Sequence, residues 1–375
     1  MINTDRLNQT FLDLVKINSP SKSERGVADY VKSKLIALGF DVEEDDAGEK
    51  TGGNAGNVIA FKKGKLPAAE SIFFCSHMDT VEPTENLNVT FDGETFKTDG
   101  KTILGADDKA GIAAIFEGVQ SILESGSSHG DIQIMFCVSE ETGLFGAKEM
   151  DLSKIRAKMG YVLDTGKPVV GITISAPSHE SMKIEIIGKA AHAGIAPEEG
   201  VNAIVAASRA IARLNVGRID SETTTNIGVI EGGKARNIVP DHVTIKAEAR
   251  SRSEEKLVAQ VDQMKRIFTE EAAAIGAKVS IQSQREYSTF RWSEEDDVVK
   301  LAMAASKSIG VEPTFHEGGG GSDANVFNAA GLPAVLIGMG YEGIHSPTES
   351  ISAENLVKAA NFVSALIEVA AKGRG

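Results

Sequence analysis

Histidine and acidic residues follow apolar segments in this sequence, an arrangement that can bind metal ions. The first example is SIFFCSHMD, residues 71–79, where an apolar run ends in His77 and Asp79. Such a run predicts a buried strand, and open α/β sheets bind ligands at the carboxyl ends of their strands. Because His77 and Asp79 would point to the same side, the carboxylate can accept the imidazole N–H and select the nitrogen that faces a metal. Taken alone, such a pair is more often an ordinary polar strand end.

Two more predicted strands end in acids. Residues 131–138 (DIQIMFCV) are followed by Glu140 and Glu141, and the apolar run 159–163 is followed by Asp164. Adjacent carboxylates repel each other unless a cation or a shared proton lies nearby. The three strand ends are therefore predicted to converge on one edge of a sheet.

The candidate ligands are histidines and carboxylates, with no thiol, which argues against a structural zinc site. They are His77, Asp107, Glu141, Asp164 and His345. Five such groups suit two zinc-class ions better than one, because zinc takes about four ligands and a carboxylate can bridge. Asp107 and Asp108 could instead cap a predicted helix. Glu140 remains available as a general base acting on a metal-activated water.

Composition and charge disfavour several classes of partner. Lys plus Arg number 39 and Asp plus Glu number 53, and the net charge of -14 disfavours nucleic acid and anionic membranes. Cys75 and Cys137 both lie in apolar segments, which predicts buried thiols in a reducing compartment rather than a disulfide. The sequence shows no signal peptide and no run of membrane-spanning length, so we expect a cytoplasmic protein.

The order of predicted elements indicates an α/β fold with two domains. Residues 1–176 and 291–375 are predicted to form a catalytic domain, with a mixed central sheet flanked by helices. Residues 177–290 carry the order βαββαβ, which is typical of a two-layer α+β unit that can be inserted into another domain. We expect this unit to act as a lid, and a homodimer through it is a further expectation.

Six strings that follow SHMD resemble the dinuclear-zinc exopeptidases related to peptidase T, the tripeptide aminopeptidase. More distantly they resemble the aminoacylases and carboxypeptidases of that clan. The strings are GADDKAG (105–111), SEETG (139–143), KAAHAG (189–194), GGKARNIVPD (232–241), GGSDANVF (320–327) and GIHSPTES (343–350). The resemblance covers essentially the whole chain, in the order of that family, and it implies the family's fold.

The resemblance implies two zinc ions that share one carboxylate. Its ligand assignment is His77 and Asp164 for one ion, Glu141 and His345 for the other, and Asp107 as the bridge. Asp79 would orient His77, and Glu140 would be the base that later protonates the leaving amine. Asp108 would be a cap or a supporting group beside the bridge. Members with aspartate at the position of Asp164 look like those that cut peptides with a free amino end, which favours an aminopeptidase.

Residues of the predicted lid are implied to contact the substrate. By resemblance, His192 would stabilise the oxyanion when the lid closes, and Asn237 and Arg250 would hold the substrate carboxylate. A surface histidine and a solvated arginine are the simpler alternatives for two of these positions. Ser322 and Asp323 follow a glycine run and are expected to line the substrate cleft, because glycines let backbone N–H groups approach a ligand.

These inferences predict a metalloprotease, a hydrolase that acts on short peptides. The expected activity is that of a tripeptide aminopeptidase using two divalent ions, zinc or else cobalt or manganese. The first alternative is an N-acyl amino acid deacylase or carboxypeptidase with the same two-metal site. An alternative of another class is a catalytically inactive peptide- or metal-binding protein.

Overall fold

The computed structural model describes residues 1–166 and 168–373. These residues form two compact units. One unit consists of Met1–Ser175, Trp292–Gly318 and the C-terminal segment that begins at Ser322, and the other of Ala176–Arg291 with Gly319–Gly321. The predicted domain junctions, after residues 176 and 290, each lie one residue from the observed junctions.

The first segment of the larger unit alternates helices and strands. Its elements are α1 (Thr4–Val15), α2 (Arg25–Ala37), β1 (Asp41–Glu44), α3 (Ala47–Thr51), β2 (Val58–Lys62), β3 (Ile72–His77), β4 (Val89–Phe91), β5 (Thr95–Thr98), α4 (Ala106–Ser125), β6 (Ile132–Cys137), α5 (Phe145–Glu149), β7 (Met159–Thr165) and β8 (Ile172–Ala176).

The inserted segment follows, and the chain then returns to the larger unit. The inserted elements are β9 (Ser178–Ile187), α6 (Ala203–Arg213), β10 (Gly217–Arg218), β11 (Thr223–Gly232), β12 (His242–Ser251), α7 (Glu254–Ala274), β13 (Lys278–Tyr287) and β14 (Phe290–Arg291). The returning elements are α8 (Asp297–Ser308), β15 (Phe315–Glu317), α9 (Asp323–Ala329), β16 (Ala334–Gly338), β17 (Ser350–Ser352) and α10 (Ala353–Lys372).

The central sheet of the larger unit is mixed, as predicted. Its strands follow the order β1-β2-β6-β3-β7-β16-β8. Strands β6, β3, β7 and β16 run parallel, whereas the pairs β1–β2, β2–β6 and β16–β8 are antiparallel. The parallel block is the part that matters for function, because all of its carboxyl ends lie on one edge.

Helices cover both faces of this sheet because its central strands are apolar on both sides. In β3, the neighbouring residues Phe73 and Phe74 pack against Phe327 and Tyr161 respectively. Consecutive strand residues point to opposite faces, so β3 needs cover on each side. Helix α4 is buried along most of its length, and Gly118 lets α10 approach, since a Cβ there would lie 2.6 Å from Val363 Cβ.

The inserted unit is a separate two-layer α+β structure, and the predicted βαββαβ order is confirmed. Its antiparallel sheet has the order β10-β11-β12-β9-β13. The apolar sides of α6 and α7 pack on one face around Ile184, Ile245 and Phe268. Helix starts here are capped as the sequence suggests, because Asn202 and Ser253 accept backbone N–H groups of the first turn.

Several short elements were not predicted from the sequence. The polar segment after Pro83 forms a hairpin of β4 and β5, and β17 adds a third strand to it. The residues after the glycine run form the helix α9. The short strand β15, which precedes the glycine run, pairs with β8. Among the described residues, no helix combines the length and apolarity required to cross a bilayer.

Candidate metal centre

Three parallel strands bring the predicted ligands to one edge of the sheet. Strand β3 lies between β6 and β7 and ends at His77. Glu140 and Glu141 follow the end of β6, and Asp164 is the second-to-last residue of β7. The convergence predicted from the apolar segments is therefore observed, and it follows from the parallel order of these strands.

The two histidines face opposite oxygens of one carboxylate. His77 Nε2 lies 3.2 Å from Asp107 Oδ1 and 3.7 Å from Asp164 Oδ1. His345 Nε2 lies 3.4 Å from Asp107 Oδ2 and 3.0 Å from Glu141 Oε1. Asp107 thus stands between two groups of donors, one on each of its oxygens.

These separations fit two neighbouring ions of the zinc class. Two donors bonded tetrahedrally at about 2.0–2.1 Å lie roughly 3.3 Å apart, and the four histidine–carboxylate separations range from 3.0 to 3.7 Å. The donors are imidazole nitrogens and carboxylate oxygens, which zinc, cobalt and manganese all accept. We name the group of His77 and Asp164 the inner end and the group of Glu141 and His345 the outer end, with Asp107 common to both.

Asp79 supports the site through several contacts. His77 Nδ1 lies 3.0 Å from the Asp79 backbone oxygen and 3.4 Å from its carboxylate Oδ1, which directs Nε2 toward the ligands. The same carboxylate accepts the backbone N–H groups of Glu140 and Glu141 at 3.0 and 3.2 Å. The Ser21 hydroxyl also donates to the Asp79 carboxylate at 2.6 Å. Asp79 therefore ties the end of β3 to the segment after β6.

The start of α4 departs from helical geometry at the ligand it carries. Asp107 and Asp108 have non-helical backbone angles and are joined by a cis peptide bond. Asp108 is buried and accepts the backbone N–H groups of His77 and Gly111, both at 3.3 Å. At Gly111 a Cβ would lie 2.4 Å from the Leu163 backbone oxygen. A glycine is needed there because α4 approaches the end of β7 so closely.

Glu140 lies beside the ligands and is 8% exposed. Burial, and then the negative charge of Asp164, raises the pKa of Glu140 well above its ordinary value. A carboxyl group of this kind can take up and release a proton closer to neutral pH than an exposed glutamate can. An oxygen of Glu140 also lies within 4.8 Å of ligand atoms of His77 and Glu141. The role of Glu140 as the base stays a prediction.

The carboxylates and histidines of the site shift one another's protonation. Burial raises the pKa of Asp164 to about 7. Hydrogen bonds to Asp107 and Glu141 raise the pKa of His345 to about 10. Burial alone would lower the pKa of His77, but its contacts with Asp107, Asp164 and Asp79 outweigh this and raise it. The site therefore favours bound positive charge, whether protons or metal ions.

Four supporting residues were missed by the sequence reasoning. Glu349 is buried and accepts three backbone N–H groups, those of Leu104, Gly105 and Asp107, at 2.8–2.9 Å. Glu24 accepts the Ser139 N–H at 3.0 Å, and Lys109 donates to the Ile17 backbone oxygen at 2.7 Å. The fourth, Tyr341, donates toward two of the ligands. Glu349 stands in the GIHSPTES string, which was the available signal for it.

Ser322 and Asp323, which are expected to line the substrate cleft, are buried within their unit, and that role stays a prediction. They are 2% and 1% exposed. The Ser322 hydroxyl accepts a backbone N–H in the capping box of α9. Asp323 Oδ2 lies 3.9 Å from Cys75 Sγ, and Cys75 Sγ lies 3.7 Å from Cys137 Sγ. Both cysteines are free and buried, as predicted.

The other predicted substrate contacts belong to the inserted unit. His192 and Asn237 lie on adjacent loops, where the Ala193 N–H donates to the Asn237 backbone oxygen at 3.0 Å. Arg250 lies on β12, and its guanidinium donates twice to Glu248 at 3.1 Å. His192 and Asn237 are exposed, and Arg250 is half-buried. Their role in binding substrate stays a prediction.

The fold and the metal centre are those of a metallopeptidase. The sequence agrees, because residues 73–369 match the model of peptidase family M20/M25/M40. The chain belongs to that family.

Relatives and solved structures extend the match to nearly the whole chain. The protein YqjE of Bacillus subtilis (strain 168) is 46% identical over 99% of this chain and 100% of its own length. The crystal structure of aminopeptidase PepT from Bacillus cereus ATCC 10987 is 44% identical, covers 99% of both chains and has a TM-score of 0.94. That of a tripeptidase from Staphylococcus aureus is 39% identical, covers 99% and 100%, and has a TM-score of 0.96. The predicted resemblance to exopeptidases related to peptidase T is confirmed.

Proposed function

We propose that this protein is an aminopeptidase that removes the first residue from short peptides, tripeptides in particular, with two divalent ions. Zinc is the expected metal, with cobalt and manganese as alternatives. The observation that carries the proposal is the position of Asp107, whose two oxygens lie 3.2 and 3.4 Å from the nitrogens of two different histidines. A buried Glu140 beside this centre supplies the base.

The chemistry divides between the ions and the protein. When bound, the ions supply a water of lowered pKa and polarise the carbonyl of the peptide bond. Glu140 takes a proton on its carboxylate and delivers it to the leaving amine nitrogen. Asp79 keeps Glu140 in place through the backbone N–H at 3.0 Å. His77 and Asp107 keep the inner end compact, which reduces reorganisation during the reaction.

The preference for a free amino end rests on two observations. Asp164, rather than glutamate, is the acid at the end of β7. The solved aminopeptidase and tripeptidase cover the same length of chain at high similarity. The cytoplasm is the compartment we propose, since the two cysteines are free thiols.

A substrate panel tests the assignment against the alternatives. We expect the zinc-loaded protein to hydrolyse tripeptides, to act more slowly on dipeptides, and to leave N-acetylated amino acids intact. Hydrolysis confined to N-acylated amino acids would identify a deacylase, and release of C-terminal residues would identify a carboxypeptidase. Binding of peptides with no hydrolysis of any panel member would identify the inactive binding protein.

Replacing the base tests the role of Glu140. Glu140→Gln keeps the shape of the side chain and removes its capacity to hold the transferred proton, so we expect kcat to fall about 10²- to 10⁴-fold. The zinc content, measured by mass spectrometry of the metal, should stay at two ions per chain. Glu117→Gln is the matched control, because Glu117 is also buried but pairs with Arg6. A Glu140→Gln variant as active as the parent would exclude this residue as the base.

A further inference from the structure

A tyrosine hydroxyl lies between the two carboxylates of the inner end. Tyr341 Oη lies 3.3 Å from Asp107 Oδ1 and 3.3 Å from Asp164 Oδ1. The side chain is 2% exposed. A phenol is a hydrogen-bond donor at neutral pH, so it can satisfy either of these two oxygens.

The two oxygens that Tyr341 contacts are also those that face His77. Asp107 Oδ1 and Asp164 Oδ1 lie 3.2 and 3.7 Å from His77 Nε2. The hydroxyl therefore stands against the donor atoms of the inner end. At the outer end, His345 faces the other oxygen of Asp107.

The backbone fixes Tyr341 to the strand that carries Asp164. Just before Tyr341, the N–H groups of Met339 and Gly340 donate to the backbone oxygens of Thr165 and Gly166 at 2.7 and 3.1 Å. Tyr341 and Asp164 thus belong to one hydrogen-bonded piece of β7 and β16. The hydrogen bond from the Tyr341 hydroxyl to Asp107 links these two strands to the start of α4.

We propose that Tyr341 is a positioning residue for the inner ion. Two negatively charged carboxylates separate unless something holds them together, and the hydroxyl holds their ion-facing oxygens in place before the ion binds. Loss of the hydroxyl weakens binding of the inner ion and leaves binding of the outer ion unchanged. Removing an outer partner of a metal ligand typically costs about 10- to 100-fold in metal affinity. This inference rests on the proposed two-ion site.

Tyr341→Phe removes the one atom in question, and Tyr161→Phe is its matched control. Tyr161 is equally buried, and its hydroxyl donates to the Val298 backbone oxygen at 3.1 Å, away from the ligands. The metal-free full-length parent and both variants are titrated with Zn²⁺ in competition with a chromophoric chelator. We expect one of the two ions to bind about 10- to 100-fold more weakly to Tyr341→Phe. Both affinities of Tyr161→Phe should stay within about twofold of the parent.

Two double variants identify the ion that is affected. In a His345→Ala background only the inner ion remains, and adding Tyr341→Phe should lower the affinity for that ion by the same factor, about 10- to 100-fold. In a His77→Ala background the outer ion remains, and adding Tyr341→Phe should leave its affinity unchanged. Thermal unfolding of the metal-free variants distinguishes a positioning role from a general loss of stability. Both Tyr→Phe variants lose one buried hydroxyl, so their unfolding midpoints should lie within a few degrees of each other.

The outcomes that overturn the inference are distinct from failure of the proposed function. Unchanged affinities in Tyr341→Phe, or equal weakening of both ions, would overturn the positioning role. A parent protein that binds fewer than two Zn²⁺ ions would overturn the two-ion site itself.

Discussion

The two ends of the metal centre differ in how much of each is enclosed by protein. The His77 side chain is 1% exposed and closes a strand of the sheet, whereas the His345 side chain is 47% exposed and lies on a loop. His345 also adopts a left-handed backbone, with φ of 58°, which a non-glycine residue rarely does. The inner end is therefore built into the core, and the outer end is held by a loop at its surface.

This difference indicates separate tasks for the two ends. We expect three features to fix the inner ligands before any ion binds: burial, the hydrogen bond that His77 donates to the Asp79 backbone oxygen, and the one that Tyr341 donates to Asp164. His345 leaves the outer end open to solvent, so we expect the outer ion to exchange more readily than the inner one. Glu349 secures the residue that both ends share, through the backbone N–H of Asp107 at 2.9 Å.

The largest effect should come from the shared ligand. Asp107→Asn leaves one oxygen acceptor and no negative charge between the two ends, so we expect loss of both ions and activity at the level of buffer. Metal analysis after gel filtration and a tripeptide assay measure the two results. If this variant kept two ions at the parent's affinity, the two ends would not share Asp107.

Replacing each histidine in turn should show that the two ends contribute differently to stability. His77→Ala takes a partner from buried carboxylates and should cost about 3 to 5 kcal/mol of unfolding free energy in the metal-free protein. His345→Ala removes an exposed partner and should cost about 0 to 1 kcal/mol. Urea unfolding with a chelator present measures both, and each variant should retain one ion when loaded. Equal costs would contradict the division into a core end and a surface end.

The smallest effect concerns pH. Asp164, with a pKa raised to about 7, and His345, with one raised to about 10, hold protons in the folded metal-free protein that the unfolded chain has released. Through these two groups the unfolded state binds fewer protons, so stability falls as pH rises, through Asp164 between about pH 4 and 7 and through His345 between about pH 6.5 and 10. Burial lowers the pKa of Lys109 to about 7, which opposes the His345 contribution above about pH 7. Thermal melts with chelator should therefore show a lower midpoint at pH 7 than at pH 5. Saturating zinc should weaken this trend, and a midpoint that rises between pH 5 and 7 in the chelated protein would contradict it.

Much of the inner end could be predicted because its signal is local. An apolar run followed by His77, and two others followed by Glu140 and Asp164, each predict a buried strand with a polar end. Parallel strands place such ends together, so the ligands could be expected to meet before any coordinates were known. The βαββαβ order of the inserted unit was predictable for the same reason, since each element carries its own periodicity.

The supporting residues could not be predicted in this way. Tyr341 and Glu349 contact residues more than 170 positions away along the chain, and neither is a histidine or an acid that directly follows a predicted strand. The burial of Ser322 and Asp323 could not be predicted either, because they follow a glycine run in the sequence and form the capped start of α9 in the structure. Burial of a polar side chain depends on what packs over it, which no local pattern records.

The sequence by itself determined which residues could bind metal, the order of the elements that carry them, and the class of chemistry they suit. Periodicity and residue type act over a few neighbouring positions, and that is enough for a strand and its polar end. Only the tertiary structure decided that one carboxylate faces two histidines, and that a tyrosine hydroxyl stands between two acids. Those contacts join distant segments, and their distances follow from how the whole sheet and its helices pack.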